Sequence, residues 1–295
     1  MYGLLSTALS TSYEVIMATK SKVKSNIIGL DIGLAFGRFF LNTEDLHFGY
    51  WPVGEKPTAL NFAWAQENHS KLIMDKIPKG TRRILDVGSG SGNMALKLIK
   101  SGFKVDCVIP SEYLAQAVQE KIQNRGKIYI CKFEDHNSTE RYDLIMFSES
   151  FQYVNISSSI KKVTNMLNPG GHLLICDFFR LDVAEKSLMG GGHLWKAFEE
   201  SVGNTALKLI SDIDITNETA PTVDFLDQFC QEVLKPVGEM TGEYMLSNYP
   251  KITRILMWKF RKRIEKIKLR YLSGTVNGES FKKFKTYRLL LYKRS

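Results

Sequence analysis

Cysteine is scarce in this chain: four residues in 295, Cys107, Cys131, Cys176 and Cys230, with no Cys-x-x-Cys spacing. That scatter excludes a disulfide framework and a zinc cluster as organising devices, and no metal site is expected. Three of the four fall in strand-like runs, as reduced core residues of an intracellular protein do. Long apolar runs are also missing. None approaches the roughly 20 residues that span a bilayer, and "MYGLLSTALSTSYEVIM" has neither the basic start nor the continuous apolar segment of a signal peptide. The expected location is therefore the cytoplasm. Internal repeats and low-complexity tracts are absent. Acidic residues are rare in one region: Lys251 to Arg294 holds 15 Lys/Arg against Glu265 and Glu279, a local balance of +13 within a net charge of +9.

What is present, 44% hydrophobic and 24% charged residues, suits one substantial core with an elaboration. Residues 1–25 are Ser/Thr/Lys-rich and read as a flexible arm, with Met17 an alternative start. Residues 26–80 follow, with a helix over Asn61 to Ile77. From residue 81 short apolar runs alternate with helical periodicity. Ile84–Val87, Lys104–Ile109, Lys127–Cys131, Tyr142–Phe147 and His172–Asp177 read as strands, and Leu207–Ile215 as a sixth. Such alternation predicts an α/β fold, a parallel sheet with helices on both faces and a core over 81–215. Residues 216–283 are mostly helical, the size of a lid, and 284–295 supply a seventh strand.

The stretch "RRILDVGSGSGN" places Gly88, Gly90 and Gly92 directly after the first strand. A triphosphate loop needs Gly-Lys-Ser/Thr, and Asn93-Met94 follows the last glycine instead. A dinucleotide loop reads Gly-x-Gly-x-x-Gly, and Asp86 at the strand end would repel a pyrophosphate. The same carboxylate suits the cationic amino-acid end of S-adenosylmethionine.

With "YDLIMFSESFQYV" and "LNPGGHLLICDFF" following, the chain resembles the class I S-adenosylmethionine-dependent methyltransferases over residues 46–180. "DLHFGYW" (Asp45 to Trp51) is similar to a segment of the tocopherol, sterol and mycolic-type small-molecule and lipid methyltransferases. The resemblance implies a seven-stranded Rossmann-like sheet whose last strand is antiparallel and inserted between the fifth and sixth. It also implies a site for S-adenosyl-L-methionine, with S-adenosyl-L-homocysteine as product. Carried over by motif, Asp86, Gly88, Ser89, Gly90 and Gly92 contact the methionine moiety, Phe133 and Glu134 the adenine, and Phe147 and Ser148 the ammonium end. Tyr50 closes over the cofactor, beside His47 and Trp51. The second strand departs from the pattern: the position that takes the ribose hydroxyls in many members is Ile109. Asp106 lies three residues early and Glu112 three late, which leaves Ser111 or Glu112 as substitutes.

Gln152 and Tyr153 stand where small-molecule members face their acceptor, and His193, Glu149 and Asp224 are candidate proton acceptors. Neither Gln152 nor Tyr153 is a base at neutral pH. The predicted activity is methyl transfer to a small or lipid-like, largely apolar acceptor, isoprenoid-derived molecules included. Within 251–272, Ile252, Leu256, Phe260, Ile264, Ile267 and Tyr271 recur at helical spacing with lysines on another side. That helix can pack its stripe on the lid, lie on an anionic membrane as a peripheral contact, or attract nucleic acid. Rival readings are an RNA-modifying methyltransferase and a non-catalytic cofactor-binding regulator. "SESF" is not the signature of a nucleic-acid amino-methyltransferase. Oligomeric state has no signal in the sequence.

Overall fold

The central strands are apolar on both faces, and the chain uses both. In the computed structural model, which describes residues 25–185 and 187–295, side chains of β1 (Arg83–Val87) alternate between two cores. Ile84 joins one, Leu85 and Val87 the other. The same period of two separates Leu144 and Met146 from Ile145 and Phe147 in β4 (Tyr142–Ser148). Double-sided burial is the condition for parallel strands covered by helices.

With β2 (Lys104–Val108), β3 (Ile128–Tyr129), β5 (Leu167–Arg180), β6 (Leu207–Asp214) and β7 (Lys285–Arg294), these form one sheet of order β3-β2-β1-β4-β5-β7-β6. The first five are parallel, and β7 runs antiparallel to both β5 and β6. The third strand is shorter than the sequence suggests because only two residues pair with β2, so Cys131 lies beyond it. The fifth is longer, because Leu167 already pairs with Tyr142 of β4 and β7 pairs with it as far as Arg180.

Ten α-helices complete the described residues. Helices α1 (Ser25–Phe36), α2 (Phe62–Met74), α3 (Asn93–Lys100) and α4 (Glu112–Ile122) contribute to the first core; α5 (Ile156–Met166) and α6 (Trp195–Gly203) cover the second. Ser111 caps α4 by accepting from the Leu114 amide, and Asn155 caps α5 in the same way. Between β6 and β7 stand α7 (Thr216–Phe229), α8 (Lys235–Asn248), α9 (Pro250–Tyr271) and α10 (Gly278–Phe284). The apolar stripe foreseen on α9 is not packed away. Thr253 alone is buried there, while Ile252, Leu256, Phe260, Ile267 and Tyr271 are exposed. The expected arm lies outside the described residues except for Ser25, which opens α1. No described helix is long and apolar enough to cross a membrane.

Candidate functional site

At the carboxyl ends of β1, β2 and β4 the structure encloses a cavity of about 340 Å³, where open α/β sheets bind ligands. Its floor is the turn after β1. Gly88 and Gly90 adopt φ of +77° and +55°. A Cβ on Gly88 would lie 2.4 Å from that of Ser150, so only glycine fits between strand end and loop.

Asp86 ends this strand on the cavity side, 2% exposed, with its Oδ2 lacking any hydrogen-bond partner. Burial pushes its pKa up to about 7, partly opposed by Ser89. A buried carboxylate oxygen without a donor is the fitting counterpart of a cationic or N–H-rich ligand. Ser148 Oγ, also on the cavity wall, is buried and unpartnered as well.

Phe133 and Glu134 form a second wall, with one Glu134 oxygen accepting from the Asn155 amide at 2.9 Å. Ile109 and Ser111 form a third. Ser111 Oγ donates to Asp31 Oδ1 at 3.1 Å, so α1 brings a carboxylate to the end of β2 that lacks one in sequence. Asp106 is committed elsewhere: its oxygens accept from Arg83 at 2.7 Å, Tyr142 OH at 3.0 Å and the Lys127 amide at 3.0 Å. Glu112 does not line the cavity.

Glu149 and Tyr153 occupy the remaining side. Glu149 has φ of +52°, a region non-glycine residues rarely adopt. Its Oε1 accepts from the Phe48 amide at 2.5 Å and from Tyr287 OH at 2.8 Å. Burial raises its pKa to about 8. Behind Tyr287, His69 is wholly buried with Nε2 3.2 Å from that hydroxyl, and burial holds it well below the ordinary histidine range. Asp177, three residues before the end of β5, is raised to about 7 by burial and accepts from the Gln152 and Phe178 amides.

Of the residues singled out by sequence, Asp86, Gly88, Ser89, Gly90, Ser111, Phe133, Glu134, Ser148 and Tyr153 come together around this cavity. Five lie off it. Gly92 caps α3 and faces Val118, where a Cβ would meet backbone at 2.9 Å. Phe147 sits in the second core against Phe133 and Phe151. Gln152 turns to Asp177. His193 spends Nε2 on the Phe151 carbonyl at 3.0 Å. Tyr50 is drawn off by its amide bond to the Ala65 carbonyl, while Gly49 and Trp51 bond Thr222 of α7. His47 and Leu46 take its place on the wall. Asp224 accepts from the Gly278 amide, holding α10 to α7. Asp31, Asp177 and Tyr287 escaped sequence reasoning; the acid closing the apolar run "LLICDFF" was the one available signal. No group of three or more metal-type side chains occurs among the described residues.

A model of the methyltransferase domain matches residues 59–217. An uncharacterized methyltransferase of Staphylococcus carnosus is 29% identical over 113 residues, 37% of this chain and 54% of its own. One from Mycobacterium tuberculosis is 26% identical over 101 residues, 33% and 40%. The chain thus spans about half the length of the curated relatives it matches. Among solved structures, a geranyl diphosphate C-methyltransferase from Streptomyces coelicolor A3(2), in complex with Mg2+, geranyl-S-thiolodiphosphate and S-adenosyl-L-homocysteine, superposes with a TM-score of 0.62. It is 14% identical over 90% of this chain and 92% of its own. The cyclopropane synthase MmaA2 of Mycobacterium tuberculosis reaches 0.64, at 17% identity over 90% and 95%. At these identities the likeness is one of fold.

Proposed function

The chain belongs to the methyltransferase domain family and has the seven-stranded fold of the class I S-adenosylmethionine-dependent methyltransferases; from that premise we propose that it methylates a small, largely apolar acceptor of lipid or isoprenoid type. The observation that carries the cofactor half is Asp86, a buried carboxylate with an unpartnered oxygen beside a glycine turn. The residues around it fit S-adenosylmethionine. Asp86 and the Gly88–Gly90 turn would hold the ammonium end, Phe133 and Glu134 the adenine, and Ser111 with Asp31 the ribose. When bound, that cofactor supplies an electrophilic methyl group on a cationic sulfur.

The chain's own part is to orient, to exclude water and to handle one proton. Leu30, Leu46 and His47 roof the cavity. Glu149 is placed to hydrogen-bond the acceptor or take its proton, with the Phe48 amide and Tyr287 hydroxyl fixing its carboxyl. With a pKa near 8 it is protonated at neutral pH, and positive charge in the cavity favours its ionised form. The geranyl diphosphate and cyclopropane enzymes among its structural neighbours support an apolar acceptor. Contact with anionic membrane through α9 belongs to the same reading. Ile255, Trp258 and Leu269 are exposed and share a helix side with Lys251, Lys262 and Lys266, a composition complementary to anionic lipid.

Calorimetry tests the cofactor site. Asp86→Asn removes a charge-assisted contact of about 1.5–3 kcal/mol, so S-adenosylmethionine should bind about 10- to 100-fold more weakly. Unchanged affinity would overturn the assignment.

A further inference from the structure

A second cluster at the sheet's carboxyl edge is chemically unbalanced. Arg180 closes β5 and Lys285 opens β7, and the two are directly paired across the antiparallel ladder. Like charges in that relation repel. Arg270, in the last turn of α9, joins them: its guanidinium lies against Gly190, where a Cβ would come within 2.6 Å of Nη2. Lys285 is only 1% exposed. Its ammonium donates to the carbonyls of Gly190 at 3.2 Å and Gly191 at 2.5 Å. Among the described residues none of these three cations makes an ion pair within 4.0 Å. Burial, then Arg180 and Arg270, pushes the Lys285 pKa down to about 8. Of the acids nearby, Glu185 is engaged by Lys283 at 2.7 Å. Asp182 and Glu185 line, with Arg180 and Lys285, a cavity of about 380 Å³.

A packed aromatic layer lies between this cluster and the methyl-transfer cavity. The Lys285 ammonium is 5.3 Å from the centroid of Phe178. That ring is 6.0 Å from Phe48 and 6.3 Å from Tyr287. The Phe48 amide and the Tyr287 hydroxyl are the two donors to Glu149. Two arginines with free planar donors and one buried ammonium suit a multiply charged oxyanion better than a single carboxylate.

We propose that Arg180, Arg270 and Lys285 form the binding site for a phosphate or diphosphate group on the acceptor. This rests on the reading of the protein as a methyltransferase for an apolar acceptor. It makes that acceptor an amphipathic phosphate ester, and it gives the buried Lys285 and its two arginine neighbours the counter-charge the protein itself withholds.

The test is calorimetric titration of the full chain, saturated with S-adenosylhomocysteine, with inorganic pyrophosphate, geranyl diphosphate and geraniol, and co-sedimentation with phosphatidate vesicles. The soluble anions report a free phosphate ester, the vesicles a lipid headgroup. Geranyl diphosphate is expected to bind at least 10-fold more tightly than geraniol. The exposed and half-buried pair Arg180→Gln and Arg270→Gln, made together, should abolish at least 10-fold of that preference while S-adenosylhomocysteine affinity stays within twofold. Vesicle binding lost in the same double variant would equally support the cluster. Equal affinity for geraniol and geranyl diphosphate with no phosphatidate dependence, or anion binding untouched by the double variant, overturns the proposal. Because Lys285→Met removes a buried anchor of the glycine loop, the arginine pair carries the decision. Loss of S-adenosylhomocysteine binding in the wild type would instead count against the methyltransferase reading, with the anion site judged separately by pyrophosphate.

Discussion

Asp86 would couple the proposed cofactor site to pH. Its folded pKa of about 7 stands above the unfolded 3.8, because burial disfavours its charge. The stability it lends the ligand-free protein is therefore fully present below about pH 4 and lost as pH rises through 7. A cationic ligand reverses the preference by selecting the ionised carboxylate. S-Adenosylmethionine affinity should rise from pH 6 to 7.5, with proton release on binding. Calorimetry in buffers of different ionisation enthalpy reads both, and proton uptake would contradict the assignment. Gly88→Val should abolish binding, since its side chain meets Ser150 and its φ is positive. At Glu149, substitution by Gln should lower turnover at least 10-fold with cofactor affinity within threefold; equal turnover would remove Glu149 from the reaction. Asp86 and Gly88 were legible in sequence because strand, turn and acid lie within five residues. The surroundings of Glu149 were not: its partners Phe48 and Tyr287 lie 101 and 138 residues away, and its strained backbone leaves no trace in composition.

Element by element, the alternation of apolar runs marked six of the seven strands to within about three residues at each end. The exception, β5, starts early at Leu167, which pairs with Tyr142 of the parallel β4 across a register shift, a long-range pairing that local pattern does not encode. The acid absent from the end of β2 was legible as an absence. The carboxylate that bonds Ser111 there was not, because Asp31 comes from α1, 80 residues upstream. Asp106→Ala tests the division of labour within β2. It should destabilise the fold by about 2–3 kcal/mol, below the full loss for a buried pair because Arg83 retains Glu140 and reaches solvent. Cofactor affinity should be unchanged, as read by denaturant melts alongside calorimetry; a selective affinity loss would return Asp106 to the site. Helix α9 makes a different prediction. Co-sedimentation should rise with anionic lipid content, fall with salt, and drop several-fold on Trp258→Ala or Ile255→Asp. Indifference to lipid charge, or stronger retention on RNA than on vesicles, would overturn membrane contact.

At the scale of the whole molecule, one edge of the sheet carries a cavity rich in carboxylates beside a cluster of cations, joined by Phe178, Phe48 and Tyr287. Asp86, Glu149 and Asp177 all sit near neutrality in their pKa through burial, which suits a cationic cofactor. Arg180, Arg270 and Lys285 suit an anionic acceptor end. The described helices between β6 and β7 leave a broad apolar surface on α8 and α9, basic along α9. The most direct measurement is incubation of the full chain with methyl-labelled S-adenosylmethionine and a fractionated cell extract. Label is predicted in the lipid and prenyl-phosphate fraction, sharply reduced with Asp86→Asn at limiting cofactor and with Glu149→Gln. Label in RNA alone, or no transfer to any fraction from protein that binds the cofactor, would contradict the account.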